Sequence, residues 1–182
     1  MVDATVAVIA EVGLENASFA KIAKHAGLSS TSLISYHFAG RSDLIATVAT
    51  RVRTAFADYV MARLDESSPM RTLLSFCAAS VDFIGERPTY MVALRQILAA
   101  APSGKGASGL ASDDRERLAA LFVDGQRCGD FREFDPATMA SFVLALRDDV
   151  IGRSIAEPGL DINLCRNEMV AAVERATRKD HR

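Results

Sequence analysis

Apolar residues recur along this chain at spacings of three and four, and no stretch alternates strictly enough to predict a strand. Val6, Ile9 and Ala10 form a first stripe, with Gly13 placed to close its helix. Ser18 is positioned as the N-cap of a second, short helix whose inward stripe is Phe19, Ile22, Ala23 and Ala26. Gly27 breaks it and Leu28 tucks inward at the turn. Ser29 is then expected to cap a third short helix containing Ser32 to Tyr36, with Phe38 in the core. Asp43, Leu44, Val48, Val52 and Phe56 open a long fourth helix reaching about Leu64.

Beyond "DESSP" the stripes lengthen. Leu73, Phe76, Cys77, Ser80 and Ile84 predict a fifth helix, ended by Gly85. Pro88 opens a sixth, lined by Tyr90, Met91, Leu94, Ile97 and Leu98. "AAPSGKGASGLASDD" reads as a loop, including Gly104–Gly109. A seventh helix from about Asp113 carries Leu118, Leu121 and Phe122 and ends near Gly129. Asp135 as N-cap and Pro136 at the first helical position start an eighth. Met139, Phe142, Val143, Leu146 and Val150 line that helix, while Leu144, Ile151 and Ile155 give it a second apolar side. "EPGLD" stops it, and Ile162, Cys165, Met169, Val173 and Ala176 line a ninth. The predicted fold is all-α, nine helices in a three-plus-six arrangement.

Composition changes little in this picture. Among the 182 residues Trp is absent, and abundant alanine favours helix. No run is apolar enough to span a bilayer, and "TVAVIAEVG" carries Glu11 and no basic start, unlike a signal peptide. Cys77, Cys128 and Cys165 are odd in number and widely spaced, so they are expected to be buried thiols in a reducing cytoplasm. The cysteines lack metal spacing and His25, His37 and His181 form no i, i+4 pair; no metal and no cofactor are expected. The net charge of −2 excludes a uniformly basic surface but not a local nucleic-acid footprint. Within the first fifty-odd residues Lys21, Lys24, Arg41, Arg51 and Arg53 are offset by Asp3, Glu11, Glu15 and Asp43.

Chemistry concentrates between Phe19 and Ile45. Two short helices joined by a glycine turn have the spacing of a helix-turn-helix, whose second helix enters the major groove. Ser29, Ser30, Thr31, Ser32 and Ser35 carry small hydroxyls able to bond base edges and phosphates. Tyr36, His37 and Arg41 follow where that helix ends and the fourth begins, and the positive end of the fourth helix would favour a phosphate there. The competing reading makes the hydroxyls caps and the aromatic residues packing.

From Ala4 to Val52 the sequence resembles the DNA-binding domain of the tetracycline-repressor (TetR) family. Gly13, then "SFAKIAKHAGLS", then "YHF" and "GRSDLI" occur in the family's order and at its gaps. The resemblance implies a helix-turn-helix DNA-binding domain over 1–45 and a helical ligand-binding and dimerisation domain over 46–182. It puts Ser29 to Ser35 on the recognition helix, Tyr36 and His37 at its end, and Arg41 at the family's phosphate-gripping lysine. "AGLSSTSLISYHF" is one residue longer than the common spacing, which leaves the register of Thr31 and Ser32 against bases open. The family's first aromatic of its triplet falls on Ile34 or Ser35 here, and the first helix lacks the family's basic leader. The predicted recognition helix holds no Arg, Asn or Gln, so bidentate base readout is absent and preference rests on hydroxyls, methyl contacts and DNA shape.

The resemblance further implies a cytoplasmic homodimer, acting as a transcriptional regulator, most often a repressor, on a double-stranded operator under a small-molecule effector. Surplus apolar surface on the last two helices suits a two-fold interface. Candidate lining residues for the effector are Phe76, Cys77, Phe83, Met91, Leu94, Phe122 and Phe142, with Arg95 and Arg147 as polar anchors; the same residues also read as simple core. No nucleophile–base pair, phosphate loop or carboxylate dyad stands at a telling spacing, so an enzyme is not expected. The alternative is a helical small-molecule-binding or interaction module that has lost DNA binding.

Overall fold

The structure is a computed structural model that describes residues 1–100 and 107–179, with side chains of the second stretch from residue 113. The described residues form nine α-helices: α1 (Val2–Val12), α2 (Phe19–His25), α3 (Ser32–His37), α4 (Arg41–Met61), α5 (Pro69–Glu86), α6 (Pro88–Ala100), α7 (Ala107–Cys128), α8 (Pro136–Ala156) and α9 (Ile162–Thr177). The only extended pairing among them is an isolated bridge between Phe131 and Arg178. By contacts the chain divides into one unit of Met1–Ala57 with Arg87–Pro102, and another of Asp58–Glu86 with Ser103–Arg182.

In the first unit the helix ends are written locally. Ser18 accepts a hydrogen bond from the Lys21 amide at 3.3 Å and caps α2. Gly27, at φ +67°, lets the chain reverse, so that its own amide reaches Lys24 and that of Leu28 reaches Ala23. That pair of bonds is a Schellman turn, which only a left-handed residue such as glycine closes without strain. Val6, Val8, Ile9, Ile22, Ala23, Ile34, Leu44, Val48 and Val52 are buried. α6 packs on α1, with Gln96 Oε1 accepting from the Leu14 amide at 2.7 Å. Nearby, Tyr90 donates to Asp3 at 2.7 Å, and burial followed by this bond raises the Tyr90 phenol above its usual range.

The second unit is tied by long-range side-chain packing of α5 with α7, α8 and α9. Arg166 reaches Asp82 at 3.3 Å between α9 and α5. Phe122 packs edge to face with Phe131 and with Phe134, the centroids lying 5.4 and 5.2 Å apart. Asp135 caps α8 by accepting from the Thr138 amide at 2.7 Å, which holds its carboxyl below the usual range, and Pro136 follows at the first position.

Several expectations are corrected. α3 starts at Ser32, not Ser29; Thr31 is its N-cap residue without a side-chain cap bond, and Ser30 rather than Ser29 accepts from the Ser32 amide, at 3.3 Å. Phe38 is half-buried, because Ile34 already fills the inward position of so short a helix. α4 ends at Met61, before Leu64. α7 begins at Ala107, so the expected loop is helical over its 107–114 part, while its residues 101–106 lie outside the described residues. Of the cysteines only Cys77 is buried; Cys165 is half-buried and Cys128 exposed at the end of α7.

Candidate nucleic-acid interface

α3 is held by one side chain. Ile34 has no exposed surface, whereas Ser32, Leu33, Ser35, Tyr36 and His37 are all exposed. At about 100° per residue, Ser32 and Tyr36 project most directly away from Ile34, with Ser35 on one flank and Leu33 and His37 on the other. Tyr36 is 83 % exposed and its ring meets that of His37 edge-on at 5.2 Å. An aromatic side chain of this size left in solvent has no packing role, which favours contact over core.

The structure brings Ser32, Ser35, Tyr36 and His37 together on one helix. Ser29, Ser30 and Thr31 are exposed in the turn ahead of it, off the recognition helix on which the resemblance put them. The reason is the Schellman turn, which leaves Ser29 to Thr31 to lead the backbone into α3.

Arg41 is used differently from expectation. Its Nη1 donates to the Ala17 carbonyl at 3.0 Å, and its Nη2 donates to the Leu14 carbonyl and lies 3.5 Å from that of Glu15. The guanidinium therefore gathers the carbonyls of the α1–α2 turn onto the first residue of α4, and its forked geometry serves three acceptors that the shorter hydrogen-bonding reach of an ammonium could not. The positive end of α4 is likewise met from within: Asp43 accepts from the Ala39 amide at 3.0 Å. Cations that face solvent beside this turn are Lys21 and Lys24 on α2. From Asn16 to Ser42 the chain holds Lys21, Lys24, Arg41, His25 and His37 and no carboxylate. The local footprint is thus more basic than the first fifty residues taken together.

Leu33 is the residue sequence reasoning passed over. It is 46 % exposed, one turn from both Tyr36 and His37. The signal was present: a leucine beside Ile34 in a six-residue helix cannot share its inward position.

The nine candidate effector residues do not fall in one unit. Met91, Leu94 and Arg95 belong to the first, the other six to the second. Cys77, Phe83 and Phe122 are buried, Phe76 half-buried. Burial pushes the Cys77 thiol up to about 12, so it is an uncharged, unreactive surface. Arg147 is largely covered and bonds Asp114 at 2.8 Å and Asp148 at 3.0 Å, so its charge is already matched. Arg95 is exposed, and Phe142 is 61 % exposed because α8 turns Ala140, Val143, Leu144 and Val150 inward and leaves Phe142 and Leu146 outside. Arg95 and Phe142 are therefore no part of an interior lining. Ser80, read from sequence only as part of a stripe, is buried with its Oγ unpartnered among the described residues.

Among the described residues α2 and α3 form a helix-turn-helix, followed in the chain by six further helices. The profile of bacterial regulatory proteins of the tetR family matches residues 1–48. Over 72 residues the chain is 39 % identical to the HTH-type transcriptional regulator BetI 2 of Chromohalobacter salexigens, a match covering 38 % of this chain and 34 % of that protein. Two solved structures share its fold throughout. One is FadR of Bacillus subtilis in complex with stearoyl-CoA (TM-score 0.82, 16 % identity, 96 % of both chains). The other is the TetR-family regulator PfmR of Thermus thermophilus (TM-score 0.81, 18 % identity, 98 % of both chains). The likeness to the tetR family is thus carried in sequence by the first 48 residues, and the chain spans about a third of the length of the curated relative it matches. Among the described residues no helix is long and apolar enough to cross a membrane.

Proposed function

We propose that this protein is a ligand-responsive transcriptional regulator that binds a double-stranded operator as a homodimer, most simply as a cytoplasmic repressor and not as an enzyme. The observation that carries the reading is α3, a short helix pinned by Ile34 that presents hydroxyls, Tyr36 and His37 outward in a carboxylate-free stretch. The functional partition remains 1–45 for DNA and 46–182 for effector and dimer. Exposed Phe142, Leu146 and Ile155 on α8 and Leu164 on α9 support a two-fold interface through the last two helices. Such a dimer presents two copies of α3 to half-sites roughly 34–36 Å apart.

The effector of this reading is an apolar or weakly acidic small molecule. Cys77, Phe83 and Phe122 supply apolar surface in the second unit, and the unpartnered Ser80 hydroxyl a polar atom there. The stearoyl-CoA in complex with the Bacillus subtilis neighbour shares only the apolar part of that chemistry, in its acyl chain, since its coenzyme A part is strongly anionic. Effector binding favours a state in which the recognition helices no longer match the groove spacing.

One observation favours a second reading, a helical ligand-binding module without DNA binding: the guanidinium expected on phosphate is committed to the Leu14 and Ala17 carbonyls. Selection of genomic fragments by the purified full chain at low salt separates the two. Recovery of a fragment whose binding is lost in Tyr36→Ala, with the dimer intact, supports the regulator. Recovery of no fragment refutes it.

A further inference from the structure

We propose that Leu33 is a specificity-determining residue that reads the 5-methyl group of thymine in the major groove. The proposal rests on the DNA-binding reading above and says what that interface prefers. α3 carries no side chain capable of paired hydrogen bonds to one base, since its six residues are Ser32, Leu33, Ile34, Ser35, Tyr36 and His37. Its serine hydroxyls lie toward one side of the outward arc, at Ser32 and Ser35. The other side is Tyr36, Leu33 and His37, in which Leu33 is the aliphatic group. Single hydroxyls donate and accept alike, so they discriminate weakly between bases. An aliphatic side chain discriminates in one sense only: it gains by covering apolar surface, and the major groove offers one apolar group, the thymine methyl.

The surroundings agree with a DNA occupant. Leu33 keeps 46 % of its surface exposed while Ile34 beside it keeps none, so the inward position of the helix is taken by Ile34 and Leu33 offers aliphatic surface to solvent. The stretch from Asn16 to Ser42 is free of carboxylates, and Lys21 and Lys24 are exposed on α2. An apolar contact within a stretch that holds cations and no carboxylate suits a methyl group set among phosphates.

The test uses the full chain and duplexes it enriches from a random library. Each thymine of the enriched half-site is replaced in turn by deoxyuridine, which removes the methyl group and keeps every hydrogen-bonding atom. One or two positions per half-site should lose roughly two- to fivefold in affinity, the scale of one buried methyl group. Leu33→Ala should abolish that sensitivity while binding the uracil duplex as the parent chain does; Leu33→Met should restore it. Uracil substitution without effect at any position overturns the proposal, as does sensitivity that survives in Leu33→Ala. Failure to enrich any duplex would instead remove the DNA-binding reading itself. If Leu33→Ala alters the circular dichroism, Leu33→Met against the parent chain decides: equal sensitivity upholds the assignment, and lost sensitivity ends it.

Discussion

The two contact units end their helices with the same device and hold their interiors by different ones. At α2 the amides of Gly27 and Leu28 return to Lys24 and Ala23; at α7 those of Gly129 and Asp130 return to Gln126 and Gly125. Around the first turn the helix ends are set locally, with Ser18 capping α2 and Ile34 the buried residue of α3, while Arg41 and Gln96 tie the preceding turn from farther along the chain. Around the second, the chain is caught from a distance. Phe131 lies over Gly125 so closely that a Cβ there would stand 2.1 Å from its ring. The Arg132 amide bonds the Thr177 carbonyl at 3.0 Å, and Gln126 holds the carbonyls of Arg132 and Phe134 at 3.1 and 2.9 Å. The caps and the turn between α2 and α3 are specified by neighbours in sequence, whereas this aromatic corner needs α9 to be in place.

Substitutions can break that contrast, beginning with the largest effect. Ile34→Ala should cost about 2–5 kcal/mol in urea unfolding, as for other deleted core side chains, while Leu33→Ala one residue away stays within about 0.5 kcal/mol. Equal losses would mean that α3 is not held through one side chain. In the second unit Gly125→Ala should cost about 1–3 kcal/mol by overpacking against Phe131. A neutral result there would show that the aromatic corner yields.

Arg41→Ala should lower stability by about 1 kcal/mol, the worth of an ordinary hydrogen bond, and weaken DNA binding with an unchanged salt slope. Lys21→Ala or Lys24→Ala should reduce the slope by about one each with little change in stability. A slope that falls in Arg41→Ala would return that guanidinium to phosphate. The smallest effects test the caps. Ser18→Ala should cost about 1 kcal/mol and Ser29→Ala nothing measurable in the same unfolding experiment, since only Ser18 receives an amide.

The contrast also explains what could be read from the sequence. Ser18, Gly27, Asp135 and Pro136 mark helix ends through their own backbone preferences, and the structure places them there. Ser29 misled because three consecutive hydroxyl residues compete for one cap, and the turn geometry, not residue type, decides among them. The resemblance places Arg41 at a phosphate-gripping position, and the carbonyls it takes in the structure lie 24 to 27 residues earlier, which no local pattern announces. Phe142 misled because α8 is apolar on more than one side, so periodicity could not choose the buried one. α6 joins α1 in the first unit through Gln96 and Tyr90, polar contacts invisible to an apolar stripe.

The central claim is that the outward arc of α3 recognises operator DNA. Its most direct test is equilibrium titration of the full chain against its enriched duplex and against a scrambled one. At about 150 mM salt the enriched duplex should bind at least roughly a thousandfold more tightly, the gap typical of specific sites. Tyr36→Ala should close most of that gap. Equal affinity for the two duplexes would contradict the account, as would a gap that Tyr36→Ala leaves intact.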